Sequence, residues 1–259
     1  IIFDHLRKQE QIMRKLNYIA PVALALALTA CGESTEGSTG ASSSATVEAV
    51  EAPAGQKWSE TVSKTEAGGV VMGNPDAPLK LVEYMSITCS HCKDFGEQAF
   101  VPLRDNYVDS GKVSFEIRNF VRDPLDLSAA LLSRCGGEAP FFPLTEQALG
   151  YQATMFEKAQ AIGEATYSNI LQSDPKVRFV RLAEQLGLIS FFQQRGVSED
   201  QAKACLADTA AAEKLMSDTQ KGAEDFNIEG TPTFLLNGQK IEGTNWTMVE
   251  AKLKEAGAR

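Results

Sequence analysis

The chain has 259 residues, of which 43% are hydrophobic and 23% charged, a composition typical of globular proteins. This length can fold as one large domain or as two small ones. The net charge of −9 argues against nucleic acid or an anionic membrane surface as a partner. The five cysteines are an odd number, so at least one of them needs a separate explanation.

The N-terminal segment has the features of an export signal. A short basic region begins at Met13, and residues 19–28 form an apolar run too short to span a membrane. The following Leu-Thr-Ala-Cys resembles a bacterial lipoprotein cleavage site, which makes Cys31 the first mature residue and the carrier of the lipid. Residues 1–12 then lie upstream of the true start at Met13. Ordinary signal cleavage nearby and an uncleaved anchor are the alternatives.

The next segment predicts a tether. Residues 32–55 are mainly Ser, Thr, Gly, Ala and Glu, so they cannot bury a core. A coil of this length spans roughly 25–30 Å. We therefore expect a leader at 1–30, a lipidated tether at 31–57 and one domain at 58–259. Such a protein would reside in the periplasm and contact the membrane only through its lipid.

A redox motif follows the first strong strand signal of the domain. Residues 79–85 form an apolar run typical of a buried strand, and residues 95–103 have helical spacing. Between them lies Cys-Ser-His-Cys at 89–92. Cys89 would begin the helix, where unpaired N–H groups and the helix dipole favour a thiolate. His91 can add a hydrogen-bond donor or a positive charge.

Two further strands flank this unit. Residues 70–73 predict a short strand, and residues 112–120 alternate apolar and polar side chains. The second of these follows the helix, so it should pair in parallel with residues 79–85. The result is a β-α-β unit with a right-handed crossover.

The motif and its position resemble the thioredoxin superfamily, and within it the DsbA-like thiol:disulfide oxidoreductases. The familiar active site of that family is Cys-Pro-His-Cys, so His91 matches and Ser90 does not. The resemblance covers about residues 70–256. It implies an α/β thioredoxin fold in which a helical insertion separates the β-α-β half from a cis-proline β-β-α half.

Glu83 is an unusual residue for a buried strand, and two interpretations stand. On an alternating strand its side chain would face solvent. The DsbA-like family instead has a glutamate at this offset from the first cysteine, which implies a buried carboxyl that takes the proton of Cys92. Burial would raise its pKa, as suits a proton carrier near neutral pH.

The region from about 124 to 208 is helical in pattern, and the resemblance identifies it as the insertion. Residues 136–137 are a Gly pair that should end its first helix, and residues 140–143 predict a loop. Cys135 and Cys205 lie in its first and last helices. They could be buried free thiols or a structural disulfide, which would stabilise the fold by roughly 4 kcal/mol in the chain-entropy model.

The last part of the chain contains a Thr-Pro-Thr sequence before an apolar strand. In thioredoxin-like proteins this marks the cis-proline loop that faces the active-site cysteines. The resemblance therefore implies a cis Pro232, with the Thr231 backbone presented to an extended substrate. Asn237 and Gly238 then predict a hairpin turn, and a final helix should begin after Asn245.

The resemblance implies dithiol–disulfide exchange without a cofactor. A disulfide between Cys89 and Cys92 would pass to reduced or unfolded exported proteins, and a membrane protein of the DsbB type would restore it. Ser90 leaves the redox direction open, so a reductase or isomerase is the alternative. A metal-handling module would use Cys89, His91 and Cys92 as ligands, but structural zinc requires four.

Overall fold

Six strands form one mixed sheet in the computed structural model, which describes residues 46–259 of the chain. The strands occur in the order β1-β2-β4-β3-β5-β6, and only β3 and β4 pair in parallel. Their bounds are β1 Val62–Lys64, β2 Val70–Met72, β3 Leu79–Met85, β4 Val113–Asn119, β5 Thr233–Leu236 and β6 Gln239–Ile241. The predicted leader and the lipidation site at Cys31 lie outside the described residues.

The centre of the sheet is the β3–β4 pair, as the sequence predicts. Leu79 aligns with Val113 at one end and Met85 with Asn119 at the other. Every β3 residue except Lys80 is buried, because β4 and β5 flank the strand and helices cover both of its faces.

Ten α-helices pack around this sheet in the described part of the chain. The first, α1, spans Ser90–Pro102, and π-helical turns continue it over Leu103–Val108. The proline ring accounts for this change, because it removes an N–H and displaces the carbonyl four residues before it. The others are α2 Pro124–Cys135, α3 Phe141–Gly150, α4 Gln152–Ile162, α5 Glu164–Leu171, α6 Pro175–Gln185, α7 Leu188–Gln193, α8 Glu199–Ala207, α9 Thr209–Phe226 and α10 Trp246–Glu255.

One sequence expectation about this region needs correction. The predicted loop at 140–143 is wrong, because α3 begins at Phe141 and includes Pro143. A proline in the first turn breaks no helical hydrogen bond, since that N–H has no partner in the helix. Strand β1 was not predicted from the sequence. It has three residues, and two of them, Ser63 and Lys64, are exposed.

The sheet separates two sets of side chains, and this decides where Glu83 lies. Val82 and Tyr84 pack in a small cluster on one face, whereas Leu81 and Met85 belong to the main core on the other. Because side chains alternate along a strand, Glu83 shares the main-core face with these last two. No helix in residues 46–259 is long and apolar enough to cross a membrane.

Candidate active site

Cys89 is the N-cap residue of α1, directly after the loop that leaves β3. Three polar contacts hold this loop. The Ile87 N–H donates to the Asp126 carboxylate at 2.8 Å, and the Thr88 hydroxyl donates to Asp123 at 2.7 Å. The Gln152 side chain donates to the Ile87 carbonyl at 2.7 Å. The first helix of the insertion and α4 therefore position the cysteine.

Asp126 is the most deeply buried of these partners and was missed by the sequence analysis. It is 1% exposed, and its carboxylate accepts the backbone N–H groups of Ile87 and Arg122. Burial raises its pKa to about 7, which the hydrogen bonds from Ser86, Arg122 and Ile87 partly oppose. The only sequence signal was an acidic residue in the first turn of a helix, which normally indicates a cap.

The sulfur of Cys89 is strongly acidic. Hydrogen bonding from the Cys92 side chain lowers the pKa of Cys89 to about 5 against the effect of burial. The backbone N–H groups of Cys92 and His91 act in the same direction, as expected at a helix N-terminus. Cys89 should therefore be a thiolate at neutral pH. The His91 side chain is exposed. The hydrogen bond from this residue to the Cys89 sulfur comes from its backbone N–H, not from its side chain.

Cys92 has the opposite character. Its side chain is 0% exposed, against 4% for Cys89. Burial raises its pKa well above the usual value, helped by its donation to Cys89 and by the negative charge of Glu83 and Cys89. The pair therefore divides into an ionised outer sulfur and a protonated inner one.

Glu83 lies on the same side of the sheet as Cys92 and is 4% exposed, so it does not face solvent. It lines one narrow pocket together with Cys92 and Phe95. Burial raises its pKa to about 8, and the charge of Cys89 adds to this effect. A carboxyl with this pKa can both give and take a proton near neutral pH.

The loop before β5 approaches Cys89 from the other side. The Thr231–Pro232 peptide bond is cis, and the Cys89 thiol donates to the Thr231 carbonyl at 3.1 Å. This contact favours the thiol, because only a protonated sulfur can donate. Ionisation of Cys89 would release the carbonyl for another donor.

The remaining two cysteines of the described region form a disulfide away from this pair. Cys135 ends α2 and Cys205 lies in α8, and their Cα atoms are 5.9 Å apart across 70 residues of sequence. The Gln201 side chain of α8 donates to the Cys135 carbonyl at 2.8 Å, which adds a second link between the two helices. Cys89 and Cys92 are free thiols in this structure.

Residues 46–259 contain no group of three or more His, Cys, Asp or Glu side chains that could hold a metal ion.

Comparisons with known proteins agree with this fold. A family model described as thioredoxin matches residues 65–255. The crystal structure of a protein-disulfide isomerase from Novosphingobium aromaticivorans is 31% identical, with a TM-score of 0.68 over 72% of this chain and 96% of that one. The structure of Wolbachia pipientis alpha-DsbA1 shares the fold at 21% identity, with a TM-score of 0.55 over 73% and 89% of the two chains.

A curated relative from Rickettsia bellii, named "Putative protein-disulfide oxidoreductase", is 28% identical over 193 residues, or 74% of this chain and 66% of its own length. Its counterpart from Rickettsia typhi is 29% identical over 179 residues, 69% of this chain and 58% of its own. The chain thus spans less than two thirds of the length of these relatives. It belongs to the thioredoxin family, and the helices between β4 and α9 give it the DsbA form of that fold.

Proposed function

We propose that the protein is a thiol:disulfide oxidoreductase that introduces disulfide bonds into exported proteins. The observation that supports this best is the contrast between the two sulfurs. Cys89 has a pKa of about 5, whereas that of Cys92 lies above the usual thiol value. A stable Cys89 thiolate is a good leaving group and favours the reduced enzyme, so the oxidised enzyme would readily give its disulfide away.

The reaction runs through a mixed disulfide. A substrate thiolate attacks Cys89, the Cys89–Cys92 bond breaks, and Cys92 leaves with the electron pair and takes a proton from Glu83. The second substrate thiolate then attacks the substrate sulfur of the mixed disulfide, which releases Cys89 as a thiolate. The substrate loses two electrons and gains a disulfide, and the enzyme retains the electrons as a dithiol.

The cis-proline loop would hold the substrate during this exchange. The Thr231 carbonyl lies 3.1 Å from the Cys89 sulfur, so an extended peptide joined to Cys89 could donate a backbone N–H to it. Backbone pairing of this kind is independent of side chains. It suits an enzyme that acts on many unfolded proteins.

The cellular setting is part of the same proposal. A lipid on Cys31 would anchor the protein at a membrane facing the periplasm, and residues 32–57 would let the domain reach exported chains. A DsbB-type membrane protein would re-oxidise Cys89 and Cys92. Labelling with a radioactive fatty acid tests the anchor directly, because Cys31→Ala should abolish incorporation while the Cys89→Ala control retains it.

The oxidase activity is tested with a reduced model protein that carries two cysteines. The oxidised enzyme in stoichiometric amount should convert it to the disulfide, and the Cys89→Ser variant should not. Cys92→Ser also lacks a disulfide to give and should not convert it. Mixed instead with the oxidised model protein, the Cys89 thiolate of this variant should attack the substrate disulfide and remain joined to it, since the inner sulfur that would release it is gone. Equal conversion by wild type and Cys89→Ser would refute the proposal.

A disulfide isomerase is the second candidate, and one comparison favours it specifically. The structure that is 31% identical to this chain is described as a protein-disulfide isomerase. An isomerase would act in its reduced form on proteins with incorrect disulfides. Recovery of activity from a scrambled model protein by the reduced enzyme, faster than oxidation of a reduced one by the oxidised enzyme, would give this candidate priority.

A further inference from the structure

A narrow pocket lies against Glu83 and Cys92, between the sheet and helices α1 and α3. Its interior offers about 20 Å³, which is enough for one water molecule. Most of its walls are apolar, with Phe95 and Phe142 among them. A water molecule is retained in such a place only where polar groups bind it, and two of these are the carboxyl and the thiol themselves.

The third polar group is Thr145 on α3. Its side chain is 1% exposed, it lines the same pocket, and its hydroxyl has no hydrogen-bond partner within the described residues. Burial of an unpaired hydroxyl costs on the order of 1–3 kcal/mol, so such groups normally bind a water molecule. The hydroxyl is both a donor and an acceptor and can therefore pass a proton.

Glu146 follows in sequence and connects this pocket with the surface. It lines the pocket and also an open groove of about 280 Å³ between α1 and α3. Partial burial raises the pKa of Glu146, and Arg104 opposes the shift. On the α1 side of the groove, Lys93 and Glu97 pair with each other at 2.7 Å.

Gly96 of α1 leaves the space between pocket and groove open. It lines both, as do Glu146 and Leu149. A Cβ atom at Gly96 would meet Leu149 Cδ1 at 3.4 Å, which is an ordinary contact. An alanine would therefore fit without a clash and would narrow the opening.

The proposed reaction needs such a route. Each time Cys92 leaves the disulfide it takes the proton of Glu83, and Glu83 then regains a proton from solvent, because its pKa in the reduced enzyme is about 8. Before re-oxidation Glu83 must release this proton again, so that its carboxylate can take the proton of Cys92. Glu83 is enclosed by the sheet and α1, so it cannot exchange with bulk water directly. We propose that Thr145, Glu146 and one water molecule in the pocket carry protons between Glu83 and solvent through the cleft between α1 and α3.

This inference rests on the proposed exchange chemistry, and a single-turnover assay separates the two. The full-length reduced protein is mixed with excess oxidised glutathione, quenched in acid and alkylated, and the Cys89–Cys92 disulfide is quantified by mass spectrometry. Excess oxidised glutathione converts such a pair to the disulfide whichever direction is physiological. The assay therefore reports on the proton route even if the enzyme proves to be an isomerase.

Thr145→Val and Gly96→Ala should each slow this oxidation by about tenfold, which is less than the roughly 10²–10⁴-fold of a positioned general acid or base because Glu83 itself remains. Thr145→Ser retains the hydroxyl and should react at the wild-type rate. The matched control for the glycine is Gly150→Ala, which borders the groove but has open space around its Cβ position. It should leave the rate unchanged.

Two further readouts exclude a purely structural effect. A proton route changes rates but not equilibria, so the reduction potential should be the same in wild type and in both slow variants. In a Glu83→Gln background, Thr145→Val should cause no further loss, because the group that exchanges protons through the route is already absent. A wild-type rate for Thr145→Val, a shifted potential, or an undiminished loss in the Glu83→Gln background would each overturn the proposal.

Discussion

Replacement of Glu83 by glutamine should stabilise the reduced enzyme, by an amount that depends on pH. The wild-type carboxyl has a pKa of about 8 in the folded protein against a usual value of 4.5, because burial and the Cys89 thiolate disfavour its charge. Glutamine keeps the size of the side chain and is never charged. The variant thus measures the free energy by which the folded state resists ionisation of Glu83.

The sign follows from proton linkage. Below pH 4.5 the carboxyl is protonated in both states, so its ionisation does not affect stability. Between pH 4.5 and 8 only the unfolded chain ionises, and the wild type loses about 1.4 kcal/mol per pH unit. The advantage of Glu83→Gln should therefore reach about 3 kcal/mol at pH 7 and about 5 kcal/mol at pH 9.

Urea unfolding of the reduced protein at pH 5, 7 and 9, followed by circular dichroism, measures this difference. Glu116→Gln is a matched control, because Glu116 is also buried but accepts two hydrogen bonds from Arg118, at 2.8 and 2.9 Å. That variant should be less stable than wild type, since Arg118 loses its charged partner. A Glu83→Gln advantage that is absent, or constant from pH 5 to 9, would refute the assignment of Glu83 as a desolvated carboxyl.

Three other outcomes follow from the site and the fold. The rate of iodoacetamide alkylation of Cys89 in the reduced enzyme should rise with pH around a midpoint near 5, and a midpoint above 8 would contradict the described hydrogen bonding. Cys89→Ser should retain the fold by circular dichroism and lose all exchange with dithiols; residual exchange would assign the reaction to another sulfur. Replacement of both Cys135 and Cys205 by serine should lower the free energy of unfolding by about 4 kcal/mol and the midpoint temperature by about 10 °C. An unchanged urea midpoint would show that this disulfide does not stabilise the folded state.

The parts of this fold that the sequence predicted have local signals. The strand at 79–85 and the helix after Cys89 follow from periodicity, and the cap and proline at 123–124 define the start of α2. The parallel pairing of β3 with β4 follows from the intervening helix. The strand, the helix and the cap each depend on a few adjacent residues, and the pairing follows from their order in the chain.

The position of Glu83 is the opposite case. Its sequence environment fits a solvent-facing residue and a buried one equally, and only pairing with β4 and β5 under cover of α1 encloses it. The roles of Asp126 and Thr145 were not visible for the same reason. Both lie in the insertion, and they reach the active site because the insertion folds back over α1 and the loop before it.

The measurement that tests the account most directly is the reduction potential of the Cys89–Cys92 pair. The protein is equilibrated with glutathione at pH 7 and the pair is quantified by alkylation and mass spectrometry. A thiol pKa of about 5, against about 7 in thioredoxin, favours the reduced enzyme by about 2.3 kcal/mol, or about 50 mV. The account predicts a potential of about −220 mV or higher. A value at or below that of thioredoxin, which is about −270 mV, would contradict an oxidase.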